Sequence, residues 1–185
     1  MCIRDSNGTA SYQSVLIVPA SSSAHDIADL EGLVFAFTDP NSFSGRVYPT
    51  YLVQQLGSTP EDFFGRTFFT YNHDNAIRAV ANGIADGAAV DSLVYDFAVQ
   101  RDSELAAQVR VIHRSSSFGI PPVVINPNAR PQLKAVLQEL LLNMSANAEG
   151  QAALAALGVE GFVVVNNDRY DSARAVIQAV ETIAP

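Results

Sequence analysis

The sequence predicts an α/β fold with a mainly parallel sheet, built in two parts. Short apolar runs of strand length, at residues 14–18 and 161–165, stand between segments whose apolar residues recur at helical spacing. The pattern shifts from strand-rich to helix-rich near residue 126, which indicates that the chain leaves one lobe and enters another. With 185 residues, 48% of them hydrophobic, the chain has ample apolar material for a core.

The two periods place the elements in order along the chain. Apolar runs bounded by polar or glycine-containing breaks predict strands at residues 14–18, 33–37, 66–70, 87–90, 109–113, 122–125 and 162–165. Apolar residues three and four apart predict a helical turn at 26–30 and helices at about 44–56, 74–82, 92–101, 133–144, 151–157 and 173–180. Pro49 lies early in the first long helix, where it predicts a kink or a tightened turn.

Composition argues against several classes of protein. A formal net charge of -8 does not suit a nucleic-acid partner, which favours a basic face. No run of 18 apolar residues is present, so we expect no membrane span in this chain. Cys2 is the single cysteine, and the three histidines lack metal-ligand spacing. Phosphate-loop, dinucleotide and serine-hydrolase motifs are absent as well, so we expect no metal and no cofactor.

The first six residues, MCIRDS, do not have the apolar core of a secretory signal. We interpret them as a sequencing or assembly leader and leave them out of the fold prediction. The true N-terminus is then expected upstream, together with any signal peptide.

A polar loop at residues 39–45 follows a predicted strand and opens a predicted helix. In open α/β sheets ligands bind at such points, and the amides and dipole of a helix start attract anions. Ser42 and Ser44 can each donate a hydroxyl hydrogen bond, whereas Phe43 can offer only its backbone N–H. An ordinary turn with an N-cap serine explains the same residues.

Two further loops have the same strand–loop–helix setting, at residues 71–75 and 89–92. His73 can donate to an anionic oxygen from one ring nitrogen, and we expect Asp74 or Asn75 to cap the helix that follows. Asp91 and Ser92 can cap the next helix, and Asp91 could also accept a hydrogen bond from a protonated ligand oxygen. Simple surface capping accounts for both loops without any ligand.

Together these segments resemble the phosphate, phosphite and phosphonate solute-binding proteins of ABC transporters, the PhnD-like branch of the type II periplasmic binding fold. The stretches that carry the resemblance are YQSVLIV at 12–18, DLEG at 29–32, FTDPNSFSG at 37–45, HD at 73–74, NGIADGAAVDS at 82–92 and VRVI at 109–112. The family fold has two α/β lobes joined by two crossing strands, with the ligand in the cleft. The resemblance implies a lead-in at residues 1–13, lobe two at 14–115, and a hinge return with the C-terminal part of lobe one at 116–185.

The resemblance also implies which residues hold the anion. Relatives use the serine-rich helix start and the histidine, which correspond to Ser42, Ser44, the N–H of Phe43, and His73. Many relatives have threonine where this chain has phenylalanine, so one hydroxyl donor is lost. Relatives that bind an amine-bearing phosphonate have carboxylates near Leu93 and residues 120–122, where this chain has none.

The function expected from these observations is capture of a phosphate, phosphite or phosphonate-type oxyanion without reaction, and its delivery to an ABC transporter permease. Such a protein would be periplasmic, or extracellular and lipid-anchored. Two alternatives remain open, namely the ligand-sensing lobe of a membrane receptor and an enzyme of the same fold catalysing phosphoryl or acyl transfer. The enzyme would need an activated nucleophile or a metal, and the sequence points to neither. We also expect an exposed apolar patch in the C-terminal part of the chain.

Overall fold

The computed structural model describes residues 2–5 and 10–183, and it is an α/β structure as predicted. The strands are β1 (Cys2–Asp5), β2 (Ser11–Tyr12), β3 (Ser14–Pro19), β4 (Val34–Phe37), β5 (Arg66–Phe69), β6 (Gly87–Asp91), β7 (Val109–Arg114), β8 (Phe118–Gly119) and β9 (Val159–Val163). The α-helices are α1 (Tyr48–Gln55), α2 (Pro60–Phe63), α3 (His73–Ala81), α4 (Ser92–Arg101), α5 (Ser103–Gln108), α6 (Pro131–Leu142), α7 (Ala148–Ala156) and α8 (Asp171–Ile183). A π-helical turn, Phe43–Val47, precedes α1.

The chain divides into two compact units. The larger unit comprises Gln13–Ser117 and Ser172–Pro185, and the smaller comprises Met1–Tyr12 and Phe118–Asp171. Residues 172–183 of helix α8 therefore group with the larger unit. Its backbone is tied there by a hydrogen bond from Gln54 Nε2 to the Val180 carbonyl at 3.4 Å. Helical periodicity in α8 indicates an apolar face, but not which layer covers it.

The larger unit is built on a five-stranded sheet with the order β5-β4-β6-β3-β7. Strand β4 is parallel to β5 and β6, whereas β3 is antiparallel to β6 and β7. The sheet is therefore mixed: four of its five strands run in one direction, as the prediction of a mainly parallel sheet requires, and β3 runs against them. Alternating strands and helices indicate crossover connections between parallel strands. They do not indicate the direction in which β3 runs relative to those strands.

Both faces of this sheet are covered. Val15 and Ile17 belong to one buried cluster with residues of α3, while Leu16 and Val18 belong to another on the opposite face. Successive side chains of a strand point to opposite faces, so an unbroken apolar run is what a doubly covered strand requires. The sequence reading of residues 14–18 as a buried strand is confirmed.

In the smaller unit β1 pairs with β9 and β2 with β8, both antiparallel. The strand predicted at residues 122–125 is wrong, because residues 120–126 have no regular secondary structure. Pro121 and Pro122 have no N–H to donate to a ladder, and the strand forms at Phe118–Gly119 instead.

The expected exposed apolar patch is present in the smaller unit. Helix α6 has no buried residue, and Val136 and Leu140 are each 58% exposed. Val124, in the irregular stretch before it, is 81% exposed. Among the described residues, no helix is long and apolar enough to cross a membrane.

Candidate anion-binding site

The candidate residues lie at the carboxyl ends of three neighbouring strands in the larger unit. Strands β4, β5 and β6 run in the same direction, so their following loops emerge at one edge of the sheet. The loop after β4 leads to Ser42, the loop after β5 leads to His73, and β6 ends on Asp91. This edge is where open α/β sheets bind ligands.

Two hydrogen bonds and one cross-strand pairing join the three loops. The backbone N–H of Asp91 donates to Nδ1 of His73 at 3.1 Å. Asp91 lies opposite Ser14 in the β3–β6 register, and the Ser14 hydroxyl donates to the carbonyl of Ser44 at 2.7 Å. Segments that are distant in sequence thus meet at one place, and Ser14, which the sequence analysis did not single out, is the link between them.

The helix start after β4 is wider than an α-helix. Ser42 is the N-cap, and its Oγ accepts from the Gly45 N–H at 3.0 Å. The N–H groups of Arg46 and Val47 both donate to the Ser42 carbonyl, at 3.1 and 3.0 Å. The sequence predicted that Pro49 would kink or tighten this turn, and the tightening is wrong because the turn widens into a π-helix. Proline signals a missing donor but does not say how the backbone compensates.

Close packing makes glycine necessary inside this turn. A Cβ on Gly45 would lie 1.7 Å from Oγ1 of Thr38, far inside van der Waals contact. Thr38 is 1% exposed, and its Oγ1 has no hydrogen-bond partner among the described residues. The loop after β4 is therefore pressed tightly against the turn that follows it.

The predicted donors of this turn differ in exposure. Ser44 is 2% exposed, while Ser42 and Phe43 are half-buried. Since Ser42 Oγ accepts from Gly45, its own hydroxyl hydrogen points elsewhere and can serve a ligand. Phe43 contributes its backbone N–H to the first turn, where helix amides face outward along the dipole.

His73 is the first residue of α3 and is half-buried. The cap of this helix is Asn72, whose Oδ1 accepts from the Asn75 N–H at 2.6 Å, so the expectation that Asp74 or Asn75 would be the cap is wrong. The helix begins one residue earlier than expected, because Asn72 is the extended residue with a side-chain acceptor.

The hydrogen bond from Asp91 defines the state of the His73 ring. A ring nitrogen that accepts from an amide carries no proton, so the neutral ring has its hydrogen on Nε2 and can donate from there. Burial lowers the pKa of His73, while nearby Asp74 acts weakly in the opposite direction. His73 is therefore a neutral donor at pH 7.

Asp91 has the capping role that the sequence allowed, whereas Ser92 is the first residue of α4 and does not cap it. Asp91 is the N-cap of α4, with Oδ1 accepting from the Leu93 N–H at 2.7 Å. Burial raises the pKa of Asp91 to about 6, and the hydrogen bonds from the backbone of Leu93 and Val94 oppose that rise. Ser92 is 5% exposed, and its Oγ accepts from the Gln13 N–H at 2.9 Å.

Two buried serines at this edge were missed. Ser14 is fully buried, and its N–H donates to Oγ of Ser115, which is 3% exposed. A hydroxyl at the start of an otherwise apolar strand was the available signal, since a buried hydroxyl needs a partner. His113, on β7, has its Nε2 3.1 Å from the Tyr48 hydroxyl.

Comparison with known proteins agrees with this architecture. The family model for the periplasmic substrate-binding protein of phosphonate ABC transporters matches residues 2–170. The chain therefore belongs to this family of transporter-associated substrate-binding proteins.

Particular relatives are similar over much of the chain. The phosphonates-binding periplasmic protein of Escherichia coli K12 is 30% identical over 156 residues, which are 82% of this chain and 46% of that protein. The phosphate-import protein PhnD of Mycolicibacterium smegmatis is 27% identical over 139 residues, which are 71% of this chain and 43% of that protein. The chain thus spans less than half the length of these curated relatives.

A solved structure has the same fold. The binding-protein component of an ABC phosphonate transporter from Pseudomonas aeruginosa superposes with a TM-score of 0.87 at 27% identity, covering 97% of this chain and 61% of that one. The resemblance stated from the sequence motifs is confirmed.

Proposed function

We propose that the protein captures a tetrahedral oxyanion of the phosphate, phosphite or phosphonate kind and hands it to an ABC transporter permease without reacting it. What supports the proposal above all is the series of contacts from Ser44 through Ser14 and Asp91 to His73, in which two hydrogen bonds are joined by the pairing of Ser14 with Asp91 across the β3–β6 ladder. It brings a helix start, a neutral histidine and a buried acid to one edge of the sheet. Family membership supports a periplasmic or extracellular setting and a permease partner.

The donors of the proposed site suit an anion even though the chain has a net charge of -8. The hydroxyls of Ser42 and Ser44, the N–H of Phe43 and Nε2–H of His73 would donate to the ligand oxygens. Local amides and a helix dipole act over a few ångströms, whereas the net charge is screened by salt. Ser92 would border the same site beside Asp91.

Binding without turnover agrees with the state of His73. Its Nδ1 lone pair is occupied by the Asp91 N–H, and its Nε2 carries the hydrogen. A histidine in this state has no free lone pair with which to take a proton from a serine or a water molecule. We therefore favour a binding protein over a phosphoryl or acyl transferase.

The side chains also bear on ligand choice. A buried ammonium without a carboxylate partner costs about 3–5 kcal/mol. Neither Leu93 nor residues 120–122 provide the carboxylate that amine-binding relatives have there. Asp91 would lie beside the anion and accept a hydrogen bond from a protonated oxygen, which favours a monoprotonated ligand. The proposed ligand is therefore an oxyanion without a primary amine.

Titration calorimetry on the intact protein that contains this chain tests the proposal. We expect phosphate, phosphite or methylphosphonate to bind more tightly than aminoethylphosphonate. Ser44→Ala should weaken binding by about ten- to a hundredfold, the loss of a hydrogen bond to a charged acceptor. Tighter binding of aminoethylphosphonate than of the other three would contradict the proposed ligand class, and no binding of any of them would contradict the function.

A further inference from the structure

We infer that Ser14 is a positioning residue for the oxyanion site. It acts by stabilising the wide π-helical turn to which Ser42 and Ser44 belong. The inference rests on the proposed function for its effect on affinity. The geometric basis of the inference does not depend on any ligand, because it concerns only which donors hydrogen-bond to the carbonyl groups of the turn.

Pro49 creates the need for this residue. Proline has no N–H, so it cannot donate to the residue four before it, Gly45, or to the residue five before it, Ser44. The two preceding π-type bonds are made, from the Val47 N–H to Ser42 and from the Tyr48 N–H to Phe43. The next bond in the series would have come from Pro49.

Both carbonyls that Pro49 leaves without a helical donor are satisfied from outside the helix. The Thr38 N–H donates to the Gly45 carbonyl at 3.2 Å. The Ser14 hydroxyl donates to the Ser44 carbonyl at 2.7 Å. Ser14 is fully buried and Ser44 is 2% exposed, so water is a poor substitute for this hydroxyl. A buried acceptor left unpaired would favour rearrangement of the turn.

Ser14 is well placed to fix the geometry of the turn. It lies on β3, which has hydrogen-bonded neighbours on both sides. Its N–H donates to Ser115 Oγ at 2.9 Å, and its carbonyl accepts from the Ser115 N–H at 3.0 Å. Across the ladder it faces Asp91. Ser14 therefore fixes the position of the π-helical turn relative to the end of β6, where Asp91 lies.

Calorimetry with phosphate and methylphosphonate on the intact protein tests this role through three variants. Ser14→Ala should weaken binding about tenfold, the effect of one unpaired buried acceptor. Pro49→Ala restores an N–H in the helix, so in the Ser14→Ala background it should recover most of the lost affinity. Ser58→Ala removes a half-buried hydroxyl that donates to the Thr59 carbonyl and contacts neither the turn nor Ser14, so it should leave the affinity within about twofold of wild type.

Amide hydrogen exchange at Val47 and Tyr48 gives a readout that needs no ligand. These two N–H groups make the π-type bonds, so Ser14→Ala should accelerate their exchange and Pro49→Ala should reverse the change. Unchanged exchange in Ser14→Ala would overturn the inference, as would a Ser58→Ala variant that weakens binding equally or a double variant without recovery. If the wild type binds neither anion while exchange responds as expected, the proposed function fails and the positioning of the turn stands.

Discussion

At the residue scale, the capping role of Asp91 and its proposed role in ligand binding make opposite demands on the charge of its carboxyl group. As the N-cap of α4 it is held in place by the Leu93 N–H, and burial disfavours its charge. As the proposed acceptor for a protonated ligand oxygen it must be ionised. A stabilising structural role alone would not require a charged group at a buried position, since an asparagine caps equally well.

The raised pKa of Asp91 leads to a prediction about stability. Its folded pKa is about 6 against an ordinary value of 3.8, so its contribution to stability is fully present below 3.8 and is lost as pH rises through about 6. Asp91→Asn keeps the capping oxygen and removes the charge. We expect it to raise the free energy of unfolding at pH 7 by about 1–3 kcal/mol, and by little near pH 4.

Urea denaturation without ligand, at both pH values, measures this difference. Asp102→Asn is the matched control, because Asp102 caps α5 by accepting from the Leu105 N–H in the same way. An equal gain at pH 4 and pH 7 in the Asp91 variant would show that the buried charge is not the cause. The same variant should weaken oxyanion binding, which would separate function from stability.

His73 provides a second prediction, which concerns its tautomer. Nuclear magnetic resonance of the ring nitrogens should show hydrogen on Nε2 and a pKa below the ordinary 6.5. A histidine with a lowered folded pKa contributes stability above its unfolded pKa, and this contribution is lost as pH falls through the folded value. A ring protonated on Nδ1 at pH 7 would contradict both the hydrogen bond from Asp91 and the proposed donor.

At the scale of elements, the π-helical turn is the least regular part of the candidate site. π-type turns occur frequently at functional sites, where the wider spacing redirects side chains. Three features favour its shape. Pro49 lacks an N–H within the helix, and Thr38 packs closely against Gly45. The Ser14 hydroxyl donates to the Ser44 carbonyl. Its shape therefore depends on packing as well as on local sequence.

Gly45→Ala tests that packing. The new Cβ would overlap the buried Thr38 side chain, so the turn or the loop must move. Overpacking of this kind destabilises by about 1–3 kcal/mol, and we expect oxyanion affinity to fall as well. Gly161→Ala is the control, because a Cβ there meets nothing within 4 Å. Thermal unfolding of both variants checks the prediction, and equal melting temperatures would contradict it.

Elements differed in how well the sequence predicted them. Helix α4 has the predicted bounds, whereas the short helices α2 and α5 were not predicted. Each of these helices is shorter than two turns, so its sequence is too short to show helical periodicity. Their N-cap residues, Thr59 and Asp102, were the main sequence features that indicated a helix.

At the scale of the whole molecule, the smaller unit of the 185-residue chain has several exposed apolar side chains. Val136 and Leu140 lie one helical turn apart on α6 and are both mostly exposed. Exposed apolar patches promote association. We therefore expect this chain to self-associate at increasing concentration.

Leu140→Lys tests this expectation by light scattering. The substitution should reduce association while changing the free energy of unfolding by no more than about 0.5 kcal/mol, because the side chain is exposed. Leu154→Lys, at a site only 2% exposed, should instead unfold the smaller unit. Undiminished association of the Leu140 variant would show that this helix face is not responsible.

The sequence by itself determined the type of most elements and the residues of the serine-rich helix start. Strand and helix periods, capping residues and proline act through neighbours a few positions away, so they can be read locally. Tertiary structure alone decided the direction of β3, the tautomer of His73, the burial of Asp91 and the hydrogen-bond partner of the Ser14 hydroxyl. The Ser14–Ser44 hydrogen bond joins residues 30 apart, and the Gln13–Ser92 bond joins residues 79 apart. Such contacts depend on strand order, because a strand's partners are chosen by packing of the whole sheet rather than by local preference.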